Sequence, residues 1–197
     1  MQDSQPIVNE ASEMSRTLPA SETPFRRLPR INNAQLVAEL DALGVYFLCG
    51  ARAIVPTGRL TPDQLLAQLA SSDEARVRLA LIPLLLHRPD FAAYVRKAVQ
   101  IAPDSQIFLK CYYTATFYLQ RKYRLRLEKL MEKYRSLPDL FSEDLELHTV
   151  SDPDVGLRML ARRHALLSGK PINWLGTYEH AAQRWLRHKE KRQLWNI

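Results

Sequence analysis

Arg158 and His164 stand on one predicted helix and are residue types that could act on a nucleic-acid backbone. Histidine transfers protons near neutral pH, and an arginine guanidinium can hold a phosphate group. Together they would support phosphodiester cleavage. A histidine that faces a neighbouring helix would produce the same pattern. A ribonuclease site is therefore one hypothesis, and a structural histidine is the other.

An acidic segment contains four residues that could act as metal ligands: Glu143, Asp144, Glu146 and His148. Metal sites need ligands held at fixed distances, which a loop does not provide. We therefore predict no metal site and expect these carboxylates to neutralise the basic residues that precede them. The glycine-containing segment 50–59 lacks the G-x-x-x-x-G-K-[ST] spacing of a phosphate-binding loop, which favours a turn between helices.

Two basic segments carry the residues that we predict to bind a partner or nucleic acid. They are Arg121, Lys122, Arg124 and Arg126 in the middle of the chain, and Arg184, Arg187, Lys191 and Trp195 near its end. Basic side chains pair with phosphates, and an exposed tryptophan can stack on a base. Trp185 has core spacing from Tyr178, so Trp195 is the tryptophan that we expect to be exposed.

The net charge of +7 is unevenly distributed along the chain. Residues 105–135 carry eight basic and two acidic side chains, and residues 136–157 carry six acidic side chains with no Lys or Arg. Residues 158–197 carry nine basic and two acidic side chains. The central basic segment is thus matched in number by the acidic segment after it. This distribution predicts an electropositive surface and places the uncompensated charge in the last forty residues.

The elements that would position these residues are predicted to be helices. The stretch from Asp104 to Leu137 contains no glycine or proline, and it is apolar in its first half and basic in its second half. This pattern predicts one long helix that is buried at one end. Residues 61–101 predict three successive helices with short turns. The expected fold is all-α, either an irregular helical bundle or a short HEAT-like array, with one long central helix.

Particular residues predict where helices begin and bend. Thr61-Pro62 predicts a capped helix start with proline at the first helical position, and Ser151–Asp154 predicts another start. Pro83 is expected to kink the apolar helix that contains it. Thr177 is expected to cap the last helix, which should fray beyond Arg187.

Residues 1–30 are polar and predict a disordered N-terminal arm, followed by a single all-α domain over residues 31–197. The two cysteines, Cys49 and Cys111, lie in apolar surroundings, which favours free thiols over a disulfide. The first residues lack the apolar segment of a secretory signal, and no apolar run is long enough for a bilayer. The sequence therefore predicts a cytoplasmic protein with no membrane partner.

Three segments resemble small uncharacterised bacterial proteins that are encoded beside minimal nucleotidyltransferases: Ser71–Pro89, Tyr112–Ala115 and Asn173–Ala182. The resemblance implies an antitoxin-like or accessory helical partner of a nucleotide-transferring enzyme. The G-S-x-(9–12)-D-x-D pattern of the transferase is absent from the sequence, which implies that this chain is not the catalytic member. Separately, the spacing of Arg158 and His164 is similar to the short Arg-His signature of HEPN-type ribonucleases.

Three functional hypotheses follow. The first is a non-enzymatic helical protein, without a cofactor, that binds and regulates a protein partner such as a nucleotidyltransferase. The second is a nucleic-acid-binding module that uses the two basic segments on RNA or DNA. The third is a HEPN-like ribonuclease.

Overall fold

The computed structural model of this chain describes residues 31–48, 60–147 and 150–195. Across those ranges it contains helices and turns with no β-strand, which confirms the all-α fold. The α-helices are α1 Asn33–Ala42, α2 Pro62–Ser71, α3 Ala75–Leu79, α4 Leu81–His87, α5 Ala92–Ile101, α6 Gln106–Lys122, α7 Arg124–Leu130, α8 Pro153–Ser168 and α9 Trp174–Trp195. No helix of the described chain is long and apolar enough to cross a membrane.

Helix α6 lies at the centre of the packing. It contacts α4 on one side and α8 on another, and α9 contacts α4, α6, α7 and α8. Residues 111–116 of α6 are buried without interruption, so this helix is enclosed rather than amphipathic. Gly156 of α8 allows the closest approach to α6, because a Cβ atom there would overlap the Tyr118 ring.

The sequence predicts two helix starts correctly. Thr61 and Gln64 form a capping box at α2, with Pro62 at the first helical position. The Asp152 side chain accepts a hydrogen bond from the backbone N–H of Asp154 and caps α8. Gly169 then ends α8 in the left-handed conformation, with φ of 63°, which glycine adopts without steric cost.

The prediction of one long helix over residues 104–137 is wrong. Helix α6 ends at Lys122, Tyr123 has non-helical dihedral angles, and the short α7 follows. After Leu130 the chain passes through a turn and runs back along α6 without regular secondary structure. The buried Gln120 side chain accepts a hydrogen bond from the N–H of Leu137, and the Tyr113 hydroxyl donates to the carbonyl of Pro138. These tertiary contacts outweigh a local preference for helix.

Two other helix boundaries lie at residues different from those that the sequence predicts. The apolar helix breaks at Ala80, between α3 and α4, because Pro83 has no N–H to donate to the carbonyl four residues earlier. Helix α9 begins at Trp174 rather than after Thr177, since the Asn173 side chain accepts from the N–H of Gly176 and acts as the cap. The same helix continues to Trp195, well beyond the predicted fraying point.

Several sequence predictions lie outside the described residues. They concern the N-terminal arm 1–30, the segment 50–59, Cys49 and His148. Cys111 is buried and free, and burial raises the pKa of its thiol to about 12.

Candidate binding surfaces

One face of α9 gathers the predicted residues of the C-terminal basic segment. Arg184, Arg187, Lys191 and Trp195 are all exposed and are spaced by three or four residues, which places them on one side of a helix. We call these four residues the α9 basic face. At 1.5 Å per residue, the face is about 16 Å long.

The two carboxylates of α9 point away from the basic face. Glu179 accepts from Lys122 at 2.6 Å, and Glu190 accepts from Arg126 at 2.7 Å. These are the only acidic residues between Trp174 and Trp195. Within the part of the chain that the structure describes, neither Arg187 nor Lys191 has a carboxylate oxygen within 4.0 Å. The helix is therefore neutralised on one side and strongly positive on the other.

Aromatic side chains lie along the same surface. Trp195 is 87% exposed at the end of α9, and Tyr46 is 40% exposed in the turn after α1. The Arg192 guanidinium lies 4.8 Å from the centroid of the Tyr46 ring, and the His188 ring lies 5.9 Å from it. Partial burial and then the cations Arg192 and Lys189 lower the pKa of His188. The part of this shift that the cations cause reflects a positive local potential.

The basic segment of α6 and α7 has a different environment. Lys122 lies between the carboxylates of Asp154 and Glu179, at 2.5 and 2.6 Å. Burial alone would lower the Lys122 pKa, but the hydrogen bonds to both carboxylates outweigh burial and raise it. Arg126 forms the ion pair with Glu190. The expectation that these residues present a free positive surface is wrong for Lys122 and Arg126, because both form ion pairs with carboxylates of α8 or α9.

Arg121 and Arg124 line a concave site of about 770 Å³ between the α6–α7 junction and the start of α8. The wall also includes Glu128, Tyr134 and Arg135. The Arg121 guanidinium donates to the backbone carbonyl of Ser151 at 3.0 Å, and Arg124 pairs with Glu128 at 2.7 Å. Sequence analysis placed these basic residues in one segment but did not predict the cavity, because the return of residues 131–138 along α6 creates it.

The predicted ribonuclease pair does not form a site. Arg158 is exposed, whereas His164 has no exposed surface. The His164 ring stacks on Trp174 at 3.6 Å, and its Nδ1 lies 2.6 Å from the hydroxyl oxygen of Tyr178. Burial and then the charge of Arg78 lower the His164 pKa to about 4. A buried, neutral histidine cannot exchange protons with a substrate in solvent, so His164 has a structural role.

Two carboxylates of the acidic segment form ion pairs with different helices of the fold. Asp144 pairs with Lys110 at 2.8 Å, and Glu146 pairs with Arg163 at 2.7 Å. Neither of these two carboxylates pairs with the 121–135 segment, contrary to expectation, although Asp154 farther along the acidic stretch pairs with Lys122. No group of three or more His, Cys, Asp or Glu side chains with metal-site geometry occurs among the described residues.

Comparisons of the chain with protein-family models, with curated proteins and with solved structures give no match. The resemblance to proteins encoded beside nucleotidyltransferases therefore stays a prediction. The geometry of the two basic regions is the basis for a functional proposal.

Proposed function

We propose that this chain is a non-enzymatic binding protein and that its α9 basic face binds single-stranded nucleic acid. The observation that carries the proposal is the orientation of the α9 carboxylates. Glu179 and Glu190 both pair with cations of α6 and α7, and the opposite face keeps the uncompensated charges of Arg187 and Lys191. Such a row of positive charge attracts a polyanion.

The arrangement of charge and aromatic rings favours nucleic acid over a protein partner. The cores of protein interfaces are depleted of charged residues and have polar rims. Here the cations Arg187 and Lys191 lie in the interior of the exposed face, and Trp195 lies at its end. The Tyr46 ring packs against Arg192, next to Lys191 in the helix. Cations that track a backbone, together with rings on which bases stack, are typical of sites for single strands.

The test is a fluorescence anisotropy titration with a labelled single-stranded oligonucleotide of about 16 nucleotides. Phosphate contacts by Arg187 and Lys191 predict a slope of about −1.4 for log affinity against log salt. The double reversal Arg187→Glu/Lys191→Glu should lower affinity at least about tenfold, because each charge that held a phosphate then repels one.

A matched control variant distinguishes the effect of the α9 basic face from the effect of net charge. Arg162 and Lys170 are also exposed basic residues, on α8 and just after it. Arg162→Glu/Lys170→Glu changes the net charge by the same amount and should leave most of the affinity. Equal losses in the two double variants, or an affinity that does not change with salt, would refute the proposed face.

A protein partner is the second candidate, and one observation favours it. Leu194 and Trp195 are 72% and 87% exposed, so two large apolar side chains are adjacent in solvent at the end of α9. Exposed tryptophan and arginine are common in the energetic centres of interfaces. Under this alternative, Leu194→Ser should remove a stoichiometric companion from protein purified from its native host, while the affinity for the oligonucleotide stays unchanged.

A further inference from the structure

We propose that the cavity between the α6–α7 junction and the start of α8 binds a nucleoside phosphate. The proposal concerns a site separate from the α9 basic face and does not depend on nucleic-acid binding there. The cavity has a volume of about 770 Å³, within the range of small-molecule sites. Its wall brings together residues from three separate parts of the chain: Arg121, Arg124, Glu128, Tyr134, Arg135 and Ser151.

Three arginine residues line this cavity: Arg121, Arg124 and Arg135. Arg121 is oriented by the backbone carbonyl of Ser151, at 3.0 Å, so it is held in place and keeps its charge uncompensated. Arg135 has no carboxylate oxygen within 4.0 Å among the residues that the structure describes. Arg124 alone is paired, with Glu128. The lining therefore keeps an excess of two positive charges.

Guanidinium groups suit a phosphate because their planar donors bind two of its oxygens at once. Two of the three arginines are available without breaking an ion pair, and the third can exchange Glu128 for the ligand. Ser136 and Ser151 belong to the same lining, and serine hydroxyls are donors of the kind that phosphates accept.

The Tyr134 side chain offers a contact for the base of the nucleotide as well. Tyr134 lines the cavity and is half-buried, and burial is the largest cause of the raised pKa of its hydroxyl. Its ring therefore stays uncharged at neutral pH and presents a flat apolar surface. A base can stack on such a ring while the phosphate lies among the arginines.

Calorimetric titration of the full chain with AMP, and separately with inorganic phosphate, tests the proposal. AMP should bind, and it should bind at least about tenfold more tightly than phosphate, because stacking on Tyr134 is available only to the nucleotide. No binding of AMP, or equal affinities for AMP and phosphate, would overturn the assignment.

Two variants locate the site and show that it depends on charge. Arg135→Gln removes a guanidinium that supports no ion pair among the described residues, so it should lower AMP affinity at least about tenfold without unfolding the chain. Glu128→Gln removes the carboxylate that competes with the ligand for Arg124 and should raise the affinity severalfold. A gain of affinity is not expected from a merely structural role for Glu128. An unchanged affinity in both variants would place AMP elsewhere.

Reciprocal controls separate this site from the α9 basic face. Arg187→Glu/Lys191→Glu should leave AMP affinity intact, and Arg135→Gln should leave oligonucleotide affinity intact. If Arg135→Gln reduces oligonucleotide binding as strongly as the α9 reversal does, the cavity is part of a continuous nucleic-acid surface, and the proposal of a separate nucleotide site is wrong.

Discussion

Lys122 and Arg126 of α6 and α7 and the basic residues Arg187 and Lys191 of α9 are the same residue types in different environments. Lys122 and Arg126 are bound to carboxylates of α8 and α9, whereas Arg187 and Lys191 point into solvent. The comparison teaches that the number of cations in a segment does not predict a binding surface. What decides is whether the fold brings a carboxylate within reach of each cation.

The largest effect should come from separating α6 and α8, the contact that brings Lys122 to Asp154. Gly156→Ala places a Cβ atom inside the space of the Tyr118 ring, two residues from Asp154. Overpacking of this kind should lower the free energy of unfolding by about 3 kcal/mol, measured by urea denaturation.

Gly169→Ala is the control for that variant. Gly169 has φ of 63°, but a Cβ atom placed there would meet no atom within 4 Å among the described residues, so alanine adds only backbone strain, about 1 kcal/mol. Equal losses of stability in the two variants would mean that the contact between α6 and α8 is not tight.

Lowering the pH should reduce the stability of the fold, because His164 is buried in it. The pKa of His164 is about 4 in the fold and 6.5 ordinarily. The unfolded chain therefore binds the proton first, and stability is lost as pH falls from 6.5 towards 4. His164 should account for a loss of about 2 kcal/mol between pH 7 and pH 5.

Denaturation curves at several pH values test this effect. His87, whose pKa burial also lowers to about 4, adds to it in the same direction. His164→Gln should therefore reduce the pH dependence between 6.5 and 4 without abolishing it. A variant with the same pH dependence as the natural chain would contradict a buried, neutral His164.

A smaller loss of stability should distinguish the basic segment of α6 and α7 from the α9 basic face. Lys122→Met leaves Asp154 and Glu179 without their shared cation and should lower the free energy of unfolding by about 1 kcal/mol. The loss should shrink at high salt, because screening weakens the ion pairs. Thermal melts at two salt concentrations provide the measurement, and a loss that is independent of salt would point to packing instead.

The smallest effect on stability belongs to the matched change in α9. Lys191→Met should alter the free energy of unfolding by less than about 0.5 kcal/mol, because Lys191 is exposed and has no carboxylate within 4.0 Å among the described residues. The same variant should weaken oligonucleotide binding. A large loss of stability would show that the two regions do not differ as proposed.

Local signals explain which parts of the fold could be predicted. Thr61, Pro62 and Asp152 predict helix starts because a cap or a proline acts through its own neighbours in the chain. The burial of Trp185 and the exposure of Trp195 also follow from local spacing. The candidate site was predictable only as a set of basic residues, since their partners come from distant segments.

The sequence by itself determined the all-α class, the main helix starts and the excess of positive charge near the end of the chain. Only the tertiary structure decided where α6 ends, because Tyr113 and Gln120 form hydrogen bonds with a segment that has no local signal to turn back. It also decided which cations are neutralised. Ion pairs such as Lys122 with Glu179 join residues far apart in the chain, and a side chain's electrostatic environment depends on distances that only folding sets.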